Sequence, residues 1–229
     1  MQLEDVHSFA VSVLRGGRGL IARTNGARPV EPIEIFEFET CPFCRKVREA
    51  MSELDLNYVS RTSAKGSANR DIVRARGGKV MFPYMIDPNT GTEMYESEDI
   101  IDYLYATYGT GRSRLRRAVE SPINLVFGAM ASAIRQKGGN ARRPRPEQPA
   151  ERLVLYNFEA SPYCRKVREA FNELDLDVEI RNVAKRSQRR PELKELGGRM
   201  MVPYLLDPNT GTEMYESDDI VAYLYATYG

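Results

Sequence analysis

Two cysteines separated by two residues, Cys41 and Cys44, carry the clearest chemistry in this sequence. They lie in Thr40-Cys41-Pro42-Phe43-Cys44-Arg45-Lys46-Val47-Arg48. A strand pattern from Ile33 to Phe38 runs into the segment, and a helix pattern runs out of it. At such a junction Cys41 takes the N-cap, and Pro42 takes the first helical position, where its missing N–H costs nothing. The helix N-terminus and the nearby cations Arg45 and Lys46 favour the thiolate, the reactive form of cysteine. A Cys-x-x-Cys pair in this setting is a redox motif. The segment returns 120 residues later as Ala160-Ser161-Pro162-Tyr163-Cys164-Arg165-Lys166-Val167-Arg168. Ser161 stands where Cys41 stood, so one half keeps a dithiol and the other does not. Ser161 is either an inert helix cap or a working hydroxyl.

Other chemistries have little to work with. Three cysteines do not make a disulfide scaffold, and one Cys-x-x-Cys pair does not supply the four ligands of a structural zinc. The single histidine, His7, is far from every motif, which argues against Ser-His or Cys-His catalysis. No metal site is expected. No apolar run is long enough to span a membrane. A cytoplasmic protein is the default expectation, or a plastid stromal one if a transit peptide has been removed. The net charge of +1 hides an asymmetry. Residues 110–150 hold nine Lys/Arg against two acids, and residues 1–30 hold four against two. Basic segments therefore join acidic domains, and the basic linker invites an anionic partner.

The elements that must position the cysteines are written twice. Residues 85–109 and 205–229 match at 20 of 25 positions without a gap. Weaker matches continue upstream in the same register, pairing Gly19 with Gly139 and Arg23 with Arg143. Each unit reads as a short helix, a basic Gly/Pro-rich connector and a domain. The short helices fall at residues 1–15 and 123–134. The division is 1–30 (helix and connector), 31–109 (first domain), 110–150 (basic helix and linker) and 151–229 (second domain). Within the first domain the patterns predict strands from Ile33, Asn57, Val80 and Thr92. Helices are predicted over Pro42 to Leu54, Ser67 to Arg76 and from Glu96-Ser97 to Tyr108.

These residues resemble the glutaredoxin and glutathione S-transferase N-terminal domain. Three features carry the likeness. They are Cys-Pro-Phe-Cys or Ser-Pro-Tyr-Cys at the first helix, Phe82-Pro83 and Val202-Pro203 before the third strand, and Glu96-Ser97 and Glu216-Ser217 at the last helix. The resemblance implies an α/β protein of two tandem thioredoxin-fold domains. Each would be βαβαββα with a four-stranded mixed sheet and preceded by a short helix. It implies a cis peptide bond at Pro83 and at Pro203. It implies glutathione as co-substrate, with Phe82 and Val202 pairing through their backbones with its cysteinyl part. Glu96, Ser97, Glu216 and Ser217 would hold the γ-glutamyl end, where helix N-terminal N–H groups receive a carboxylate. Arg70 and Arg190 are the candidates for the glycyl carboxylate, with Lys65 and Lys185 as alternatives. Cys41 matches the family's nucleophilic cysteine, Cys44 its resolving thiol, and Ser161 the serine of transferases that activate bound glutathione. The sequence departs from the transferases in having no all-helical domain after either unit, which bears on any large hydrophobic substrate.

The leading expectation is a glutathione-dependent thiol oxidoreductase acting on a protein disulfide or a small-molecule thiol substrate. The alternatives are a glutathione-binding transferase-like protein, a non-enzymatic tandem binding or scaffold module, and a glutathione-ligated iron–sulfur protein. The repeat also raises an intramolecular pseudo-dimer.

Overall fold

The structure, a computed structural model, describes residues 19–23, 26–111 and 138–229. The short helices expected over 1–15 and 123–134 lie outside the described residues, as does much of the basic segment 110–150.

The first strand, β1 (Ile33–Glu37), splits its apolar residues between two faces. Ile33 and Ile35 join one cluster, and Phe36 joins another. Helix α1 (Pro42–Glu53) covers the first face with Val47, Ala50 and Met51, spaced to fall on one side of a helix. Strand β2 (Tyr58–Thr62) pairs in parallel with β1. Helix α2 (Asn69–Gly77) covers the opposite face through Val73 and ends at Gly78, whose φ of +76° suits glycine. Strands β3 (Tyr84–Asp87) and β4 (Thr92–Met94) add antiparallel neighbours beyond β1. Helix α3 (Ser97–Tyr108) packs beside α1 through Ile100, Ile101 and Leu104. The third strand begins at Tyr84, not at Val80 as its pattern suggests, because Pro83 has no N–H to give a ladder.

The second repeat has the same order. It comprises β5 (Leu153–Asn157), α4 (Pro162–Glu173), β6 (Val178–Asn182), α5 (Arg190–Gly197), β7 (Tyr204–Asp207), β8 (Thr212–Met214) and α6 (Ser217–Tyr228). The chain thus contains two tandem thioredoxin-fold domains. The near-identical segments have a structural reason. Asp87 accepts hydrogen bonds from the hydroxyls of Tyr103 and Tyr108, each at 2.6 Å, and also from Asn89. Asp207 does the same with Tyr223, Tyr228 and Asn209. Each aspartate ties the last helix to the β3–β4 or β7–β8 hairpin.

The two halves share one sheet. Strands β2 and β6 pair antiparallel, giving eight strands in the order β4-β3-β1-β2-β6-β5-β7-β8. Tyr58 faces Ile180, Val59 faces Glu179, and Ser60 faces Val178. With the 120-residue offset these pairs are reciprocal, as in an isologous two-fold contact. The pairing covers one strand edge of each half, that of β2 and that of β6. One hydrophobic cluster runs from α1 and α3 to α4 and α6, through Ile35, Leu56, Tyr58, Leu176, Val178 and Leu155.

The connectors cross over. Ala22 N donates to Lys185 O, and Lys185 N donates to Leu20 O. In the mirrored arrangement Ala141 N donates to Lys65 O, and Lys65 N donates to Gly139 O. Each connector therefore seats on the other repeat before returning to its own, where Arg23 N meets Glu53 O and Arg142 N meets Glu173 O. This pairs Arg23 with Arg142, one residue away from the sequence register that aligned it with Arg143. Backbone bonds fix the equivalence there, and the connector absorbs the slip before the strands. Arg142 also forms an ion pair with Glu173 at 3.3 Å, and Arg145 Nε donates to Leu174 O at 3.1 Å.

Side chains also cross between halves. Asp177 Oδ1 accepts from Thr62 N at 3.1 Å and from Asn69 Nδ2 at 2.8 Å, and its Oδ2 pairs with Arg61 at 2.7 Å. Exchanging Asp177 for alanine leaves three donors of the other repeat without their acceptor. It should cost about 2–4 kcal/mol, read as a lower urea midpoint with little change in slope.

Candidate functional site

Cys41 is the N-cap of α1, with extended φ and ψ of −75° and 117°. Its sulfur accepts the backbone N–H of Cys44 at 3.2 Å, a bond that a first-turn Pro leaves available. The Cys44 thiol also donates to it, and these hydrogen bonds draw the Cys41 thiol below its usual value against the effect of burial. The Arg48 charge pulls the same way. Arg45 and Lys46, the cations that proximity in sequence suggested, are engaged elsewhere. Arg45 pairs with Glu49 at 3.2 Å and Glu159 at 3.7 Å, and Lys46 pairs with Glu98 at 3.0 Å. Cys44 is fully buried, and burial pushes its thiol well above the ordinary range. The pair is thus polarised, with Cys41 as the better thiolate and Cys44 the proton holder.

Cys41 is 5% exposed, and that small exposure opens on a cavity of about 390 Å³. Phe38, Pro42, Phe43, Arg70 and Phe82 line it with Cys41. Arg70 is fixed at its wall. Its Nε donates to the carbonyls of Ser63 and Ala64, and its guanidinium lies 5.0 Å from the Phe82 ring centroid and 5.9 Å from that of Phe38. The Phe82-Pro83 and Val202-Pro203 peptide bonds are both cis. Pro83 and Pro203 are buried, and Phe82 and Val202 are half-buried. Glu96 and Ser97 stand at the N-terminus of α3, outside the lining of this cavity. Glu96 is exposed with φ +65°, and Ser97 is buried. Glu216 and Ser217 repeat this at α6, with φ +67° at Glu216. Lys65 and Lys185 are exposed, and their backbones hold the crossing connectors.

The second repeat keeps the frame without the thiol. Ser161 Oγ accepts the N–H of Cys164 at 3.3 Å, in the same role as the Cys41 sulfur. Cys164 is fully buried, and burial raises its thiol. Arg190 Nη1 donates to Val183 O at 3.4 Å, near the place Arg70 holds in the first half.

Beneath Cys41 and Ser161 lies a buried ion cluster that sequence reasoning missed. Arg48 Nε pairs with Glu159 at 2.9 Å, its Nη1 with Glu37 at 2.9 Å and its Nη2 with Glu39 at 3.3 Å. Arg168 pairs with Glu39 at 2.9 Å and Glu159 at 3.0 Å. Glu39 and Glu159 each stand two residues before Cys41 and Ser161, so the loop ahead of each first helix is pinned by the helix of the other repeat. Burial opposes ionisation of Glu159, but Arg168 and Arg48 outweigh it and hold the carboxyl below the usual range. The signal was present in the repetition of Glu39 and Arg48 as Glu159 and Arg168.

The architecture is that of a thioredoxin-fold pair with one dithiol site. The glutathione S-transferase N-terminal domain model matches residues 35–113 and 155–229. The chain belongs to that family, through both of its repeats. No curated protein gives a match. Among solved structures, a trimeric glutathione transferase from Leishmania aligns with 16% identity and a TM-score of 0.31, over 87% of this chain and 68% of that one. No helix among the described residues is long and apolar enough to cross a membrane.

Proposed function

We propose that the chain is a glutathione-dependent thiol oxidoreductase working through the first repeat. The observation that carries this reading is the polarised pair at the head of α1. Cys41 faces the cavity with its thiolate supported by the Cys44 N–H and thiol, while Cys44 is held protonated behind it. Cys41 attacks a disulfide, and a glutathionylated protein or small molecule supplies it. The resulting mixed disulfide is resolved by Cys44 or by a second glutathione. Arg70, at the cavity wall, suits a carboxylate of the tripeptide, and the Glu96-Ser97 helix start suits its γ-glutamyl end. The second repeat has a hydroxyl at the attacking position and a buried thiol behind it. It serves as the scaffold that pins the first, and its Arg190 and Glu216-Ser217 belong to that framework. In this reading the two halves act as an intramolecular dimer.

The test is the pH dependence of Cys41 alkylation in a Cys44→Ser, Cys164→Ser background, with and without glutathione. An apparent pKa below the ordinary thiol value of about 8.5, with glutathione slowing alkylation, supports the reading. A value at or above that figure with no effect of glutathione overturns it and leaves a non-enzymatic binding module in front.

A further inference from the structure

The two repeats differ at the wall of the cavity as well as at its thiol. Phe82 stands two residues before β3, and Val202 holds the equivalent place before β7. The ring accompanies Cys41, and the branched aliphatic side chain accompanies Ser161. Valine is enough for the framework. Val202 packs against the cluster of Val154, Tyr156, Leu193 and Tyr204, as Phe82 packs against that of Phe36, Val73 and Tyr84. The aromatic ring at residue 82 is therefore more than the fold requires there.

The ring has a partner in Arg70, in the first turn of α2. The guanidinium lies over Phe82 at 5.0 Å and over Phe38 at 5.9 Å, and the two rings meet edge to face at 86° with centroids 5.8 Å apart. One edge of the guanidinium is fixed as well, since Nε donates to Ser63 O at 3.1 Å and to Ala64 O at 2.9 Å. Neither Nη nitrogen has a hydrogen-bond partner among the described residues, and no carboxylate pairs with the cation. Burial alone acts on the charge and lowers the guanidinium from its ordinary value. Arg190 is held differently. It spends a terminal nitrogen on the framework, Nη1 donating to Val183 O at 3.4 Å, and no ring lies against it among the described residues.

We infer that the Phe82 ring is a positioning element for the carboxylate of the bound tripeptide, acting through Arg70. The inference rests on the oxidoreductase reading above and names a contact that fits the first repeat, and not the second, to bind. The rings take up the face of the guanidinium, and the two carbonyls take up its Nε edge. What remains is the pair of terminal nitrogens, the edge that meets a carboxylate in two parallel hydrogen bonds. A planar cation stacked on an aromatic face keeps its orientation while its N–H groups stay available. Arg70 and Cys41 line the same cavity, so a ligand tethered by its carboxylate at Arg70 is held beside the nucleophile. Valine at residue 82 would leave the charge and both carbonyls in place and remove the nearer ring on which the guanidinium rests.

The test uses the full chain carrying Cys44→Ser and Cys164→Ser, and reads protection of Cys41 from alkylation. The probes are S-methylglutathione, which has no thiol, and the same compound with its glycyl carboxylate amidated. The parent should prefer the acid to the amide by about tenfold. In Phe82→Val the half-protecting concentration of the acid should rise about 3- to 10-fold while that of the amide stays where it was. Phe82→Tyr, which keeps a ring, should remain within about twofold of the parent for both probes. Arg70→Met should abolish the preference, and adding Phe82→Val to it should cost the acid nothing more. If Phe82→Val weakens acid and amide equally, the ring is only cavity wall and the inference falls; no change with either probe overturns it too. A parent protected equally by both probes removes Arg70 from the carboxylate and overturns the inference while the oxidoreductase reading stands. A parent protected by neither overturns the glutathione reading first and this inference with it.

Discussion

On the proposed oxidoreductase reading, exchanging Cys41 for serine should lower glutathione-dependent disulfide reduction by more than about 10³-fold, the scale expected when a covalent nucleophile is lost. The measurement is steady-state reduction of a glutathionylated peptide at saturating glutathione. The exchange is structurally mild, because the second repeat already uses serine there. Ser161 caps α4 through a 3.3 Å bond from Cys164 N, against 3.2 Å for the Cys41 sulfur in α1. Thermal unfolding should therefore move little, and the loss is chemical. Cys44→Ser should behave differently. Glutathione itself can resolve the mixed disulfide, so activity falls by only about tenfold or less, while formation of the internal disulfide stops altogether. Equal losses from the two exchanges would remove Cys41 from the role of sole nucleophile.

Exchanging Arg48 for methionine destabilises the whole chain by about 3–5 kcal/mol. Arg48 is 2% exposed and answers three carboxylates, Glu37, Glu39 and Glu159, the last from the other repeat. Burial works against its charge, yet the carboxylates outweigh that and hold it firmly protonated. Without it those carboxylates lie buried with less compensation. The two repeats share a sheet and this cluster, so urea unfolding followed by circular dichroism should stay a single transition shifted to lower urea. Two separated transitions would show that the halves fold independently. The effect has a pH sign. In the parent, Glu159 has a lowered folded-state value, so its contribution is present above the ordinary carboxylate range and is lost as pH falls through the folded value. In the variant, loss of Arg48 raises the folded values of Glu159 and Glu37. Protonation at acid pH then relieves the buried charge. The stability gap between parent and variant should therefore narrow as pH falls from neutral through the carboxylate range.

The local parts of this protein were legible in one dimension. Cys41 and Pro42 at a strand-to-helix junction specify a capped helix, because cap and first turn involve neighbours only. The order of strands and helices follows from apolar spacing, and the match of residues 85–109 with 205–229 announces the duplication. Both cis peptide bonds stand where the family likeness put them. The third strand and the upstream register were misjudged by a few residues. Val80 to Phe82 are apolar, but strand pairing waits until after Pro83. In the connectors, backbone bonds to the opposite repeat, not residue identity, set the equivalence of Arg23 with Arg142.

What lay beyond reach depended on partners 110 to 130 residues away in the chain. Along the sequence, Glu39, Arg48, Glu159 and Arg168 look like solvated surface charges. They are buried only because β2 and β6 pair edge to edge and bring α1 and α4 together. That pairing is not encoded in the alternation of either strand, since an edge strand and a central strand can share one pattern. The sequence by itself determined a duplicated thioredoxin fold with a dithiol in one copy. The tertiary structure decided that the copies form one sheet, that Arg48 and not Arg45 or Lys46 supplies the charge behind Cys41, and that Glu39 and Glu159 are each held by an arginine of the other repeat. In each case the deciding interaction is a buried contact, and burial is a property of the assembled chain, not of any residue in it.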